Sequence, residues 1–416
     1  MLSQKQIHDY LFYSFVPPER PRLPDAVVDS VSSETISGAH QELIEQGKRA
    51  IHAAVDDCLD STPDDTLHVV PISSGWDSRF VLGALTADDR VPMENITALS
   101  YGVPGSWDFD LGKEIAAHVG VEHVSINLNE IDWSLNSIED YVSRCDVPMR
   151  FFEGYPVAKS LEPFADREHT VWSGFFGLAA GPQLSKPIAA TWSDGQDWFI
   201  RRNKTTDLAP NGYSPRAALP EKPLLDPSEL EYEYQIDMST RQPSFIGPVV
   251  SPPGHKCQFP LLNRHWLKFI LNVPTKFRLN ARLYHDILVD SYPKLFALPG
   301  DSAHGQPLTS SVVRKGVARI YQAIRHRAVN KIGQNTAHPK NKFVNFEKKI
   351  RKDTDLHETI RKLLTDLCDR DRIDWIDILD IWERHQQGQD NSMELRILAS
   401  IELTLRTGTS QDKYDL

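Results

Sequence analysis

The chain has 416 residues, 40% hydrophobic and 25% charged, with a formal net charge of −11, which allows two or more domains around a substantial core. No run of about 18 apolar residues exists, and Met1-Leu2-Ser3-Gln4-Lys5 leads into a polar helix rather than the apolar core of a signal peptide; the expectation is a cytoplasmic protein without a transmembrane segment. Cys58, Cys145, Cys257 and Cys368 lie far apart without a Cys-x-x-Cys pair, so neither a zinc knuckle nor a disulfide framework is indicated.

Residues 5–16 have the apolar spacing of a short amphipathic helix that stops before Pro17-Pro18, and a Pro-rich linker follows. Residues 39–58 predict a helix feeding a buried strand at Leu67–Ile72. That strand runs into Ser73-Ser74-Gly75-Trp76-Asp77-Ser78-Arg79, a small-residue turn that opens a helix. Hydroxyls and amides at a helix N-terminus favour an anion such as phosphate. Asp77 would repel a bare phosphate, so its presence suits a divalent cation bridging carboxylate and phosphate oxygens. The competing reading is an Asx or Ser turn capping an ordinary helix.

Further strands are expected at Ile96–Gly102 and Val121–Asn127, separated by a helix that opens at Gly105-Ser106-Trp107-Asp108. Strand and helix in alternation predict an α/β fold with a parallel twisted sheet flanked by helices. Asp108 reads as a helix N-cap on generic grounds, and His123 as a structural residue at a strand start. Residues 134–166 read as two helical pieces broken near Pro148 and Gly154, before a second glycine-rich strand end, Thr170-Val171-Trp172-Ser173-Gly174-Phe175-Phe176-Gly177-Leu178. Residues 182–225, rich in Pro, Gly, Ser and Asp, read as an insertion or lid with a helical patch at Trp192–Arg202. Leu230–Met238 and Gln258–Val273 return to helical texture, and the chain ends in helices at Ile373–Gln386 and Ser392–Arg406, a helix-rich C-terminal half. Between them, residues 314–352 hold twelve Lys or Arg and a single acid, Glu347, a local +11 against −22 elsewhere. This reads as a footprint for an acidic partner or as a solvated face pairing with the acidic remainder.

The segment Ser73–Ser78 resembles the Ser-Gly-Gly-x-Asp-Ser loop of the asparagine-synthase-like ATP pyrophosphatases, with Ser74 in place of the first glycine. The similarity extends from about residue 8 to 406, through Asp9–Pro17, the Gly-x-Ser-x-Asp-like start near Asp108, Ser173-Gly174 and Gln258-Phe259-Pro260-Leu261-Leu262-Asn263. It implies an adenine nucleotide alpha-hydrolase-like, Rossmann-like fold, with ATP at Ile72, Ser73, Ser74, Gly75, Asp77, Ser78, Arg79, Gly102 and Gly174, and Mg²⁺ on Asp77. The implied reaction is adenylation of a small or carrier-linked carboxylate, then amide formation with ammonia or an amine. Leu2 stands where full-length members carry a glutaminase cysteine, so nitrogen is expected from ammonia, an amine or a partner subunit.

Two departures keep a degenerate nucleotide-binding partner protein open as an alternative, with an RNA-acting pyrophosphatase-loop enzyme as a third. Leu178 occupies the position of the family's second magnesium aspartate, and Leu298–Pro307 lacks the family's lysine. His304, Lys315 or Lys256 could supply that positive charge, and Asp108, His304 and Lys315 are the catalytic candidates. The expected organisation is an N-terminal helix and linker over 1–38, a pyrophosphatase domain over 39–310, and a basic, helical extension over 311–416 on the same domain.

Overall fold

The computed structural model describes residues 2–32, 34–181, 189–300, 303–311, 313–321, 344–352 and 354–409. Five strands, β1 (Leu67–Pro71), β2 (Ile96–Gly102), β3 (Glu122–Asn127), β4 (His169–Trp172) and β5 (Lys256–Gln258), form one sheet in the order β3-β2-β1-β4-β5. Every pairing in it is parallel. Helices cover the sheet, and the C-terminal half is rich in helix, as expected from the alternation of the sequence.

The central strand β1 is buried almost throughout, the requirement for a parallel strand covered on both faces. Its one polar residue, His68, lies 5.7 Å from the ring of Trp172, and burial pushes its imidazole down to about 4, so it is neutral. From β1 the chain winds outward through β2 and β3, then returns to the other side of β1 as β4. The direction of winding therefore reverses between β1 and β4, and such a switch point places a crevice at the carboxyl ends of these two strands.

Strand β5 is not among the expected strands, and its last residue, Gln258, is where the sequence reads as the start of a helix. Three residues are too few to show a period, and pairing of Val171 with Cys257 and Trp172 with Gln258 holds them extended. The two helical pieces are separated between Ser143 and Phe151, around the expected Pro148, whereas Gly154 lies inside the helix Phe151–Leu161 and does not break it.

Two large apolar cores result. One lies around the sheet helices His40–Asp60 and Trp76–Thr86 and the helix Arg282–Ser291. The second joins Leu135–Ser143, Phe151–Leu161, Thr354–Asp369 and Ser392–Thr407. Ile7, Tyr10 and Leu11 of the first helix, Gln4–Tyr13, are buried in that second core, so the N-terminal helix packs with the C-terminal half. Of the segment expected as a lid, residues 182–188 lie outside the described residues. The helix Trp192–Asn203 beyond them carries a Thr191–Asp194 capping box and buries Phe199 with Phe12 and Tyr13, so this part is docked. Among the described residues no helix is long and apolar enough to cross a membrane.

Candidate functional site

Between Pro71 and the helix Trp76–Thr86 the chain makes a turn held by its own side chains. Ser73 Oγ and Ser78 Oγ are 2.9 Å apart, the Ser73 N–H donates to Ser78 Oγ at 3.0 Å, and the Gly75 N–H donates to Ser73 Oγ at 3.2 Å. Gly75 is the N-cap in extended backbone, and Ile72 is buried in the sheet core beneath the turn. A helix leaves its first amides without intrahelical acceptors, which directs the N–H groups of Trp76, Asp77 and Ser78 and the positive end of the dipole into the crevice.

Two of the expected site residues hold this turn instead of facing a ligand. Arg79 is fully buried, and its guanidinium donates to the carbonyls of Ser74 at 3.1 Å, Leu295 at 3.3 Å, Leu298 at 3.0 Å and Pro299. A guanidinium committed to four carbonyls is a clamp, not a nucleotide contact. Asp108 is neither the N-cap, which is Ser106, nor placed on the cavity. Its Oδ1 accepts from both the N–H and the hydroxyl of Ser74, at 2.9 and 2.6 Å, and so ties the turn to the neighbouring helix.

Asp77 is the side chain on which the loops of β1 and β4 converge. A Cβ on Gly174 would lie 2.5 Å from Asp77 Cβ, and one on Gly177 would overlap the Asp77 carboxylate, so only glycine permits this approach. Tyr284 donates its hydroxyl to Asp77 Oδ1 at 2.8 Å. Burial pushes the Asp77 carboxyl up to about 6, with the Tyr284 hydrogen bond opposing the rise.

A cavity of about 310 Å³ opens beside Asp77. Its aromatic wall includes Trp76, which stacks on His285 at 4.0 Å and on Phe296 at 5.0 Å between ring centres. Burial, with the nearby Lys315 ammonium adding to it, holds the His285 imidazole down to about 4 and therefore neutral. Its polar wall comes from Glu231 and the helix Tyr232–Arg241, where Glu233, Asp237 and Arg241 recur every four residues along one face.

Asp237 is spent on Arg241, at 2.7 Å, and Glu231 Oε1 on Arg278, at 2.7 Å. Glu233 Oε1 accepts from the Ala189 N–H at 2.6 Å. The other oxygens of Glu231 and Glu233 and the Tyr234 hydroxyl are buried with no hydrogen-bond partner among the described residues. Arg202 enters from the helix Trp192–Asn203, its guanidinium 5.2 Å over the Trp198 ring. No carboxylate pairs with it among the described residues.

The remaining expectations fall around this centre. Gly102 sits at the carboxyl end of β2, its carbonyl accepting from the Leu128 N–H at 2.9 Å. His123 bonds Ser100 Oγ at 3.0 Å within the sheet, the structural role its position implied. His304 lies outside the cavity, in left-handed backbone within the hairpin of Pro299–Gly300 and Gln306–Pro307, where Gly300 rests against the Ser74 carbonyl. Lys315 donates to the Leu308 carbonyl at 2.7 Å beside His285. Lys256 pairs with Glu168 at 3.0 Å at the amino end of β5, the wrong end of the sheet for a charge acting in the crevice. Leu178 lines the cavity, and among the described residues no three His, Cys, Asp or Glu side chains group as a metal site.

Of the basic stretch, Arg325, Arg327, Lys331, Lys340 and Lys342 lie outside the described residues. Within the helix Phe346–Lys352, Lys349 donates to the Asn129 carbonyl, and Arg351 bonds Glu347 and the carbonyls of His385 and Gln389, so these two charges serve the fold. No family model matches the chain, and no curated protein matches it.

Proposed function

We propose that the chain is an asparagine-synthase-like ATP pyrophosphatase, of adenine nucleotide alpha-hydrolase-like fold, that activates a carboxylate as its acyl-adenylate and passes the acyl group to ammonia or an amine. One observation carries this reading: Asp77, at the start of the helix after the central strand, lies under the glycine backbone of the second strand end, at the point where the sheet changes winding direction. The first-turn amides and Ser73, Gly75 and Ser78 are suited to a triphosphate, and Gly102 and Gly174 bring backbone to the same edge of the sheet for the rest of the nucleotide. Asp77 would hold Mg²⁺ carried by the triphosphate, and the bound ion would supply charge neutralisation at the phosphate oxygens.

A substrate carboxylate oxygen attacks the α-phosphorus and pyrophosphate leaves; the nitrogen nucleophile then attacks the acyl carbon and AMP leaves. The contribution of the protein is position and electrostatics, without a covalent enzyme intermediate. Arg202 is the cation suited to receive the carboxylate, because no carboxylate of the protein competes for it among the described residues. The acids Glu231 and Glu233 on the same wall favour a substrate that also carries an amine. The neutral His285 cannot serve as the missing family cation; Lys315, beside it, is the better placed of the candidates.

A second reading, a nucleotide-binding partner protein without turnover, draws on Leu178 and on the commitment of both Ser74 donors to Asp108. Calorimetric titration of ATP with and without Mg²⁺, followed by pyrophosphate release against pooled amino and sugar acids, separates the two. Magnesium-dependent binding with release supports the enzyme; binding without release for any acid supports the partner protein. No binding refutes both.

A further inference from the structure

Seven large hydrophobic side chains are exposed among the described residues, and four of them stand on one helix, described over 313–321: Val313 at 77%, Val317 at 64%, Ile320 at 62% and Tyr321 at 63%. Their spacing, i, i+4, i+7 and i+8, places them on a single face. The opposite side, through Lys315 and Ala318, is the one turned toward the body of the protein, with Lys315 donating to the Leu308 carbonyl. The helix thus directs its apolar face outward, the reverse of a helix that packs on its own core.

Charge accompanies this helix rather than the apolar face itself. Arg314 and Arg319 are exposed on the same helix, and the sequence from Ser302 to Phe346 contains eight Lys or Arg and no acid, in a chain whose net charge is −11. A nucleic acid would use the cations and leave the apolar stripe in water. A second copy would find four side chains, a few hundred Å² at most, where a stable interface needs roughly 800 Å² from each partner. A lipid surface needs no complementary shape and uses both features, apolar side chains at the acyl boundary and cations among anionic headgroups.

We propose that the helix 313–321 docks the protein on an anionic lipid surface, with Val313, Val317, Ile320 and Tyr321 at the acyl boundary and Arg314 and Arg319 at the headgroups. Because Lys315, on the side of the helix away from the docking face, lies beside His285 of the cavity wall, the docking helix is the neighbour of the candidate site. The full chain is tested by co-sedimentation with phosphatidylglycerol–phosphatidylcholine vesicles and with phosphatidylcholine alone, at low and raised salt. Val317→Glu with Ile320→Glu changes only exposed side chains, and an unchanged melting curve verifies its fold.

The expected result is sedimentation with the anionic vesicles only, weakened by salt, and reduced about tenfold or more in the double variant. Three results overturn the proposal: no sedimentation, equal binding to neutral vesicles, or wild-type binding by the double variant. A dimer that the double variant dissociates, without vesicle binding by the wild type, would assign the face to a second copy instead.

Discussion

Replacing Asp77 by Asn separates the folding role of this residue from its proposed metal role. The carboxyl sits at about 6 in the folded chain against an ordinary 3.8. The folded state therefore holds the proton more tightly than the unfolded state, so stability falls as pH rises from about 4 to about 6, and the penalty is complete above that. About two units correspond to roughly 3 kcal/mol at pH 8, an upper limit because the exposed part of the side chain is screened, and to about half of that at pH 5. Asn keeps an acceptor for the Tyr284 hydroxyl and removes the charge. Urea denaturation should show Asp77→Asn more stable than wild type by about 1–3 kcal/mol at pH 8, with the gain shrinking toward pH 5. In calorimetry the same variant should lose magnesium-dependent ATP affinity. A variant no more stable than wild type at pH 8 would refute the burial argument. One that binds Mg-ATP as tightly as wild type would refute the metal role while leaving the burial argument intact.

Four further substitutions, at three positions, test the parts around Asp77. Arg79→Met strips the clamp from four backbone carbonyls and should cost about 3–5 kcal/mol of stability in urea titration, whereas a nucleotide-contacting arginine would cost affinity with little stability. Asp108→Asn keeps the acceptor that Ser74 uses and should retain most pyrophosphate release, while Asp108→Ala should lose about 2 kcal/mol of stability and weaken ATP binding; equal loss of turnover in both would return Asp108 to the catalytic residues. Arg202→Ala lies on an exposed part of the cavity wall and should leave stability within about 0.5 kcal/mol of wild type. In that variant the KM for the carboxylate should rise about tenfold or more with kcat little changed, and an unchanged KM would remove its assigned contact.

The sheet was legible because its strands are continuous apolar runs that end in glycine or small residues, as at Val69–Ile72 and Ile96–Gly102. Strand β5 was not, because a three-residue strand owes its conformation to the ladder with β4 and carries no period of its own. The turn at Ser73–Ser78 was visible as a motif, yet a motif does not say which of its members face outward. Arg79 reads as a ligand contact until Leu295, Leu298 and Pro299 are brought over it from more than 200 residues away. The acidic cavity wall was missed for the opposite reason. Leu230–Met238 reads only as a stretch of helical texture, and only the docking of Trp192–Asn203 and Tyr284 around it turns Glu233 and Arg202 into one enclosure. The signal available was the four-residue recurrence of Glu233, Asp237 and Arg241, which marks a charged face without saying what it faces.

These placements divide the motif by physical task. Ser74, Arg79 and Asp108 form a closed set: the carboxylate takes the Ser74 donors, the guanidinium takes the Ser74 carbonyl, and Leu295 to Pro299 is secured by the same guanidinium. Such a set fixes the turn before any ligand arrives, so ordering the turn costs nothing at the moment of binding. The serine at position 74 then has its own reason: its hydroxyl gives Asp108 a second donor, which a glycine there could not. Asp77 takes the contrary role, a carboxylate held near its own titration point with glycine backbone pressed against it. The turn is rigid where it is scaffold, and its one strained electrostatic term lies on the residue to which a cation is proposed to bind. A bound cation would relieve that term, which links the stability of the loop to its occupancy.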